Sequence, residues 1–149
     1  MSVDIANKVG RQKVSVRKLK KTAERILKLL NQNRVELSLS LVKNQEIREL
    51  NARYRNKNEP TDVLSFPIGE HFPTGMQILG DVVISVEQAE KQAGKRRKTL
   101  EQEVESLLIH GILHLLGYDH ECSQKEAKIM RGMEKKIHRA LYERRVVGV

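Results

Sequence analysis

The sequence predicts a small α+β domain in which a mixed sheet of about four strands packs with about five helices. Two observations carry this. Short alternating or β-branched runs, the length of strands, are mingled along the chain with longer stretches of helical periodicity. No internal repeat, low-complexity run or linker divides the 149 residues, and that length holds one domain with a real core but not two of ordinary size. Residues 1–149 therefore read as a single domain.

In chain order, "SVDIA" near the N-terminus offers a first strand. From Ser15, the apolar positions Leu19, Ala23, Ile26, Leu27 and Leu30 recur at helical spacing with lysine and arginine between them, an amphipathic helix. "VELSLSLV", Val35 to Val42, alternates with period two and is the clearest strand. "NQEIRELNARYR" opens on Asn44 as a capping residue, sets Ile47 and Leu50 on one side of a short helix, and ends near Tyr54. After the turn-rich "NKNEP", the runs "TDVLSFP" and "ILGDVVIS" read as strands of a long hairpin, with "PIGEHFPTGMQ" as the loop between them. Ser85 with Gln88, Thr99 with Gln102 and Ser123 with Glu126 fit the capping-box spacing, so helices are expected from about 86, 100 and 124. The last carries Ile129, Met133, Ile137 and Leu141 as its apolar stripe.

Composition bounds the function. The 28 Lys+Arg against 19 Asp+Glu leave a formal charge of +9, which favours an anionic partner such as nucleic acid, although a basic surface also serves solubility alone. Tyr54, Tyr118, Tyr142, Phe66 and Phe72 are the whole aromatic set, too few for a wide base-stacking platform. The longest uncharged run, "SLLIHGILHLLGY", falls short of a bilayer span and contains two histidines, so no membrane partner is expected. The start lacks the order of a secretory signal. The single cysteine, Cys122, cannot form an internal disulfide, in keeping with a cytoplasmic location.

Three of the five histidines fall within "HGILHLLGYDH". His110 and His114 are four apart in the helix predicted from Leu100, so their rings share a face and can grip one ion. Gly117 can adopt the left-handed conformation that ends a helix and turn the chain so that His120 returns to the same point. The prediction thus includes a metal site at the end of a central helix. Three imidazoles suit zinc, one ion per chain, with other divalent metals admissible, and three protein ligands leave a fourth position for water. Two unpaired imidazoles on an otherwise apolar face would be costly, which disfavours reading them as ordinary core histidines. Cys122, two residues beyond His120, is a possible fourth ligand of a closed site. The spacing also matches metzincin peptidases, but Gly111 stands where those carry their general-base glutamate.

"HGILHLLGYDH", with "LNARYRNKNEPTDVLSFP" and "LGDVVIS" upstream in the same order, resembles the YbeY family of bacterial metal-dependent endoribonucleases. The resemblance runs from about Leu50 to His120. It implies a single-strand-specific ribonuclease acting in ribosomal RNA maturation, especially at the 3′ end of the small-subunit RNA, and in ribosome quality control. Single-stranded RNA, ribosomal RNA and the small ribosomal subunit are the implied partners, and DNA is not expected. Zinc on His110, His114 and His120, and an essential arginine at Arg55 in "YRNK", are implied as well. Hydrolysis of a phosphodiester builds charge on the phosphoryl oxygens, and a guanidinium offers a planar, permanently charged donor fork to hold them. Arg53 is the next candidate.

Asp62, Asp81 and Asp119 could orient ligand histidines or move protons, or simply cap turns and strand ends. Ser65 could donate to a phosphate or be a buried strand serine. His71 and His138 have no partner at ligand spacing. The basic segments "RKLKK", 17–21, and "GKRRK", 94–98, and the arginines near the C-terminus could guide RNA or be solvated faces. Two other functions remain open on the residues: an RNA-binding ribosome-assembly factor with a structural metal, and a metallopeptidase, which Gly111 disfavours.

Overall fold

The computed structural model describes residues 1–10, 13–71, 73 and 75–147. Four strands and five helices follow one another as β1 (Ser2–Asn7), α1 (Val16–Leu29), β2 (Val35–Val42), α2 (Asn44–Arg55), β3 (Val63–His71), β4 (Gln77–Ser85), α3 (Val86–Arg96), α4 (Leu100–Leu115) and α5 (Gln124–Val147). The sheet order is β1-β2-β4-β3. β1 and β4 run parallel to β2, and β3 returns antiparallel to β4, so the sheet is mixed as the sequence predicts.

The two faces of the sheet are covered unequally. Val35, Leu37, Leu39 and Leu41 of β2, with Leu79, Val82 and Ile84 of β4, join α1, α4 and α5 in the main core. α2 packs on the other face through Ile47, against Val42, Leu64 and Val83, with Leu50 and Phe66 at the margin. α4 lies at the centre. Ten of its sixteen residues are buried, so it is apolar nearly all round, as a helix enclosed by neighbours must be. Thr99 opens it with both halves of a capping box. Among the described residues no helix is long and apolar enough to cross a membrane.

Three local expectations need correction. The segment "PIGEHFPTGMQ" is not all loop: β3 continues to His71 and β4 begins at Gln77, with a register shift between Pro67 and Glu70. Pro67 is tolerated because β3 is an edge strand, where a missing N–H costs no ladder bond. Phe72 lies outside the described residues. Asn44 is the first helical residue rather than the cap, which is Lys43. Its amide donates to Glu87 Oε1 at 2.7 Å and its Oδ1 accepts from Ser85 Oγ at 2.7 Å, so the start of α3 satisfies the start of α2. In α5, Ile129 is 49% exposed, whereas Met130 is fully buried and continues through Ile137 and Leu141 as the stripe on the core face. Met133, Ile137 and Leu141 keep the predicted phase against the core, and Ile129 alone of the predicted stripe turns outward, with Met130 filling the core in its place.

Candidate metal centre and cleft

The end of α4 is built by a glycine. Gly117 has φ +98°, its N–H donates to His114 O at 3.0 Å, and the Tyr118 N–H donates to Leu113 O at 3.1 Å. This paired closure of the last carbonyls is the Schellman arrangement, which turns the chain back across the helix end. Tyr118 anchors the turn by packing against the main core. The following residues are fastened by Asp119, whose Oδ1 accepts from the Glu121 N–H at 2.8 Å and whose Oδ2 accepts from Cys122 Sγ at 3.1 Å. His120 is thereby presented to His110 and His114.

The three rings converge. Ring centroids are 4.9 Å apart for His110–His114, 4.9 Å for His110–His120 and 5.2 Å for His114–His120. One ring nitrogen from each lies within 4.8 Å of the other two, and His114 Nε2 is 3.2 Å from His120 Nδ1. Tetrahedral zinc with imidazole ligands needs nitrogens about 3.3 Å apart, so one pair already has that spacing and the third nitrogen lies within 4.8 Å of both. The donor set fits zinc, and among the described residues it is the group that could hold a metal ion. Burial, with the neighbouring His110 and His120 rings, holds the pKa of His114 below the ordinary histidine value, which favours the neutral form that ligates metal.

Cys122 does not join the cluster. Its thiol is exposed and donates a hydrogen bond to Asp119, which pushes its pKa up to about 11 and leaves it a poor ligand at neutral pH. The same contacts, the Glu121 backbone N–H first, hold Asp119 below the usual carboxylate range. Asp62 borders the cleft but works at the strand end, accepting from the Val63 N–H at 2.8 Å and Gln92 Nε2 at 3.3 Å. Asp81 sits mid-strand, paired in register with Phe66 and Ser38, and does not border the cleft. Ser65 borders it, with its hydroxyl donating to Gly111 O at 3.0 Å.

Gly111 faces the sheet, not the metal site. A Cβ there would lie 2.7 Å from Val82 Cγ1 and 3.3 Å from Ser65 Oγ. The position where a metzincin carries its glutamate is here a point where α4 approaches β4 too closely for a side chain.

The histidines open into a cleft of about 590 Å³ that also contains Arg55. Arg55 ends α2, where Asn56 takes the left-handed conformation at φ +58°. Its Nη2 is 3.6 Å from Glu121 Oε1, and His120 Nε2 is 3.8 Å from the same oxygen. Arginine and histidine thus face one shared anionic position. Arg53 is exposed and does not border the cleft.

Sequence reasoning missed Glu134 on α5, whose Oε2 is 3.3 Å from His110 Nδ1. No local signal marks it: Glu134 is four residues after Met130 and three before Ile137, both buried, but which side of α5 meets α4 is set by packing. It also missed Glu103, which is fully buried and pairs with Arg96 at the cleft wall.

Fold and site together define an α+β domain of the three-histidine metal-site class, with a basic residue beside the cluster in one cleft. A sequence model of the family described as Endoribonuclease YbeY matches residues 4–142. The chain is 54% identical over 127 residues to the Endoribonuclease YbeY of Aquifex aeolicus (strain VF5), covering 85% of this chain and 84% of that one. It is 47% identical over 133 residues to the protein of the same name from Sulfurihydrogenibium sp. (strain YO3AOP1), covering 89% and 88%. The solution structure of TM1509 from Thermotoga maritima superposes with a TM-score of 0.64 at 34% identity, covering 92% of this chain and 86% of that one. The chain belongs to the endoribonuclease YbeY family.

Proposed function

We propose that residues 1–149 form a single metal-dependent endoribonuclease domain that hydrolyses phosphodiester bonds in single-stranded RNA. One zinc ion per chain is held by His110, His114 and His120, other divalent metals being admissible, and Arg55 is the catalytic residue. The observation that carries this reading is the presence of Arg55 in the same cleft as the three converging histidines. In keeping with the family resemblance, the substrate is ribosomal RNA, the role is 3′-end maturation of the small-subunit RNA and ribosome quality control, and the setting is the cytoplasm with the small ribosomal subunit as partner.

A divalent metal bound there supplies Lewis acidity and water activated near neutral pH. The chain's residues do the rest. Arg55 holds the non-bridging oxygens at the position now taken by the Glu121 carboxylate, and its fork becomes most useful as charge develops there. Glu134 orients the His110 ring. The +9 charge draws the strand in, so affinity falls steeply as salt is added. A peptidase of the metzincin type is disfavoured because residue 111 faces Val82 and has no room for a carboxylate.

Metal-loaded protein incubated with labelled single-stranded RNA, duplex DNA and a peptide library, beside His114→Ala, tests the reading. Cleavage of RNA alone, lost in the variant, is expected. RNA binding without cleavage would favour the assembly-factor reading, and peptide cleavage the metallopeptidase.

A further inference from the structure

The cleft has a second guanidinium that the reaction proposed above does not use. Arg96 ends α3, and its Nη1 lies 3.1 Å and 3.4 Å from the two carboxylate oxygens of Glu103 on α4. The Glu103 side chain is 0% exposed, whereas Arg96 is 57% exposed on the cleft wall. Burying a carboxylate is costly, and an ion pair so placed is seldom better for stability than apolar residues of the same size. What the pair does achieve is orientation. Among the described residues only Nη1 is engaged, so Nε and Nη2 keep donors for an oxygen acceptor in the cleft.

The placement along α4 sets the scale. Glu103 and His110 are seven residues apart, about two turns, so they share a face and lie about 10 Å apart along the axis. Ser106 and Leu107 border the cleft between them. Ser106 also lines a neighbouring hollow of about 280 Å³ with Lys98, Gln102, the largely buried Glu105, His138 and Tyr142, the last of which is 66% exposed. One polar path therefore runs from the histidines past Arg96 to a lysine and an open aromatic ring, the chemistry of a single-strand track: cations for phosphates and a ring on which a base can stack.

Building on the ribonuclease reading, we propose that Arg96, held by buried Glu103, grips a backbone phosphate of RNA flanking the cleaved bond, and that the strand leaves the cleft over Ser106 toward Lys98 and Tyr142. Arg96 is a substrate-positioning residue about two or three phosphates from the reacting one. The segment "GKRRK" thus has two members, Arg96 and Lys98, with defined tasks rather than a shared, diffuse charge.

The test compares two single-stranded RNAs of one cleavable sequence in single-turnover kinetics with metal-loaded protein. The short RNA spans only the cleaved bond and its immediate neighbours; the long RNA extends several nucleotides to each side. Wild-type protein should half-saturate at lower concentration with the long RNA. Arg96→Ala should remove most of that preference, weakening the long RNA roughly three- to tenfold more than the short one, and should lower its salt slope by about one. Because the single variant strands a buried carboxylate, Arg96→Ala/Glu103→Gln is measured beside it and should show the same loss. Tyr142→Ala should also cut the long-RNA advantage without changing the salt slope. A folded single or double variant that keeps the wild-type preference and salt slope overturns the proposal and leaves Arg96–Glu103 a structural tie between α3 and α4. Wild-type protein that cleaves neither RNA would instead remove the ribonuclease reading on which the proposal rests.

Discussion

Glu134 Oε2 lies 3.3 Å from His110 Nδ1, joining α5 to the face of α4 that carries two of the three clustered histidines. A carboxylate on one ring nitrogen fixes the tautomer in which Nδ1 carries the proton and leaves the Nε2 lone pair for a ligand. Removing such a partner usually costs ten- to a hundredfold in metal affinity. Glu134→Ala should therefore bind zinc about that much more weakly in competition with a chromophoric chelator. Glu134→Gln keeps an oxygen acceptor and should lose less. Wild-type affinity in Glu134→Ala would reduce the contact to an incidental one between helices.

The close approach at Gly111 should be felt in stability. An added methyl would meet Val82 Cγ1 at 2.7 Å, and Val82 is itself fully buried, so α4 must shift rather than the valine. Gly111→Ala is expected to cost about 1–3 kcal/mol in urea unfolding, the usual range for overpacking. Because His110 and His114 ride on the same helix, zinc affinity should fall as well. Gly111→Glu should be worse on both counts and should gain no peptidase activity. Unchanged stability in Gly111→Ala would mean that the helix and sheet adjust without strain.

What could be read from the chain alone follows the range of the interactions. The ends of α4 are set within a few residues, by Thr99 with Gln102 and by Gly117, so the helix and the return of His120 were visible in the spacing. The alternation of Val35 to Leu41 fixes which side of β2 enters the core, since each lies in the main cluster. Glu134 and the Arg96–Glu103 pair were not visible, because each joins two elements whose relative rotation depends on packing. Ile129 shows the same limit: helical periodicity cannot choose between the adjacent positions 129 and 130 at the start of α5, of which packing buries Met130. Asn44 failed for a related reason, since Glu87 from another helix supplies the acceptor that a local cap would have provided.

The depressed pKa of His114 sets the direction of a pH effect. Burial is its first cause and the facing His110 and His120 rings the next, and all oppose the charged form in the folded protein. As pH falls below the ordinary value of 6.5, the unfolded chain takes up a proton at this residue that the folded chain resists, so stability of the metal-free protein falls with pH. Above that range both states are neutral and the contribution is flat. Thermal unfolding of metal-free protein across pH 8 to 5 should show this decline, and His114→Gln should show a shallower one. An identical decline in both would assign the effect to other groups.

Arg55 and His120 approach the same oxygen of Glu121, at 3.6 Å and 3.8 Å, which places the guanidinium where an anion beside the histidine cluster would sit. On the proposed reading, that anion is the phosphate under attack, and the guanidinium contributes most when charge builds on its oxygens. Arg55→Ala should then slow single-turnover cleavage about a hundredfold or more, with metal content unchanged and RNA affinity altered far less. Arg55→Lys should not restore the rate, because an ammonium cannot span two oxygens as a planar fork does. Arg53→Ala should be nearly silent, since that side chain is exposed and outside the cleft. Glu121→Ala should tighten RNA binding, because the carboxylate that competes with phosphate for Arg55 has gone. A wild-type rate in Arg55→Ala would leave Arg55 a surface charge, and the rate-supporting cation would have to be sought elsewhere in the cleft.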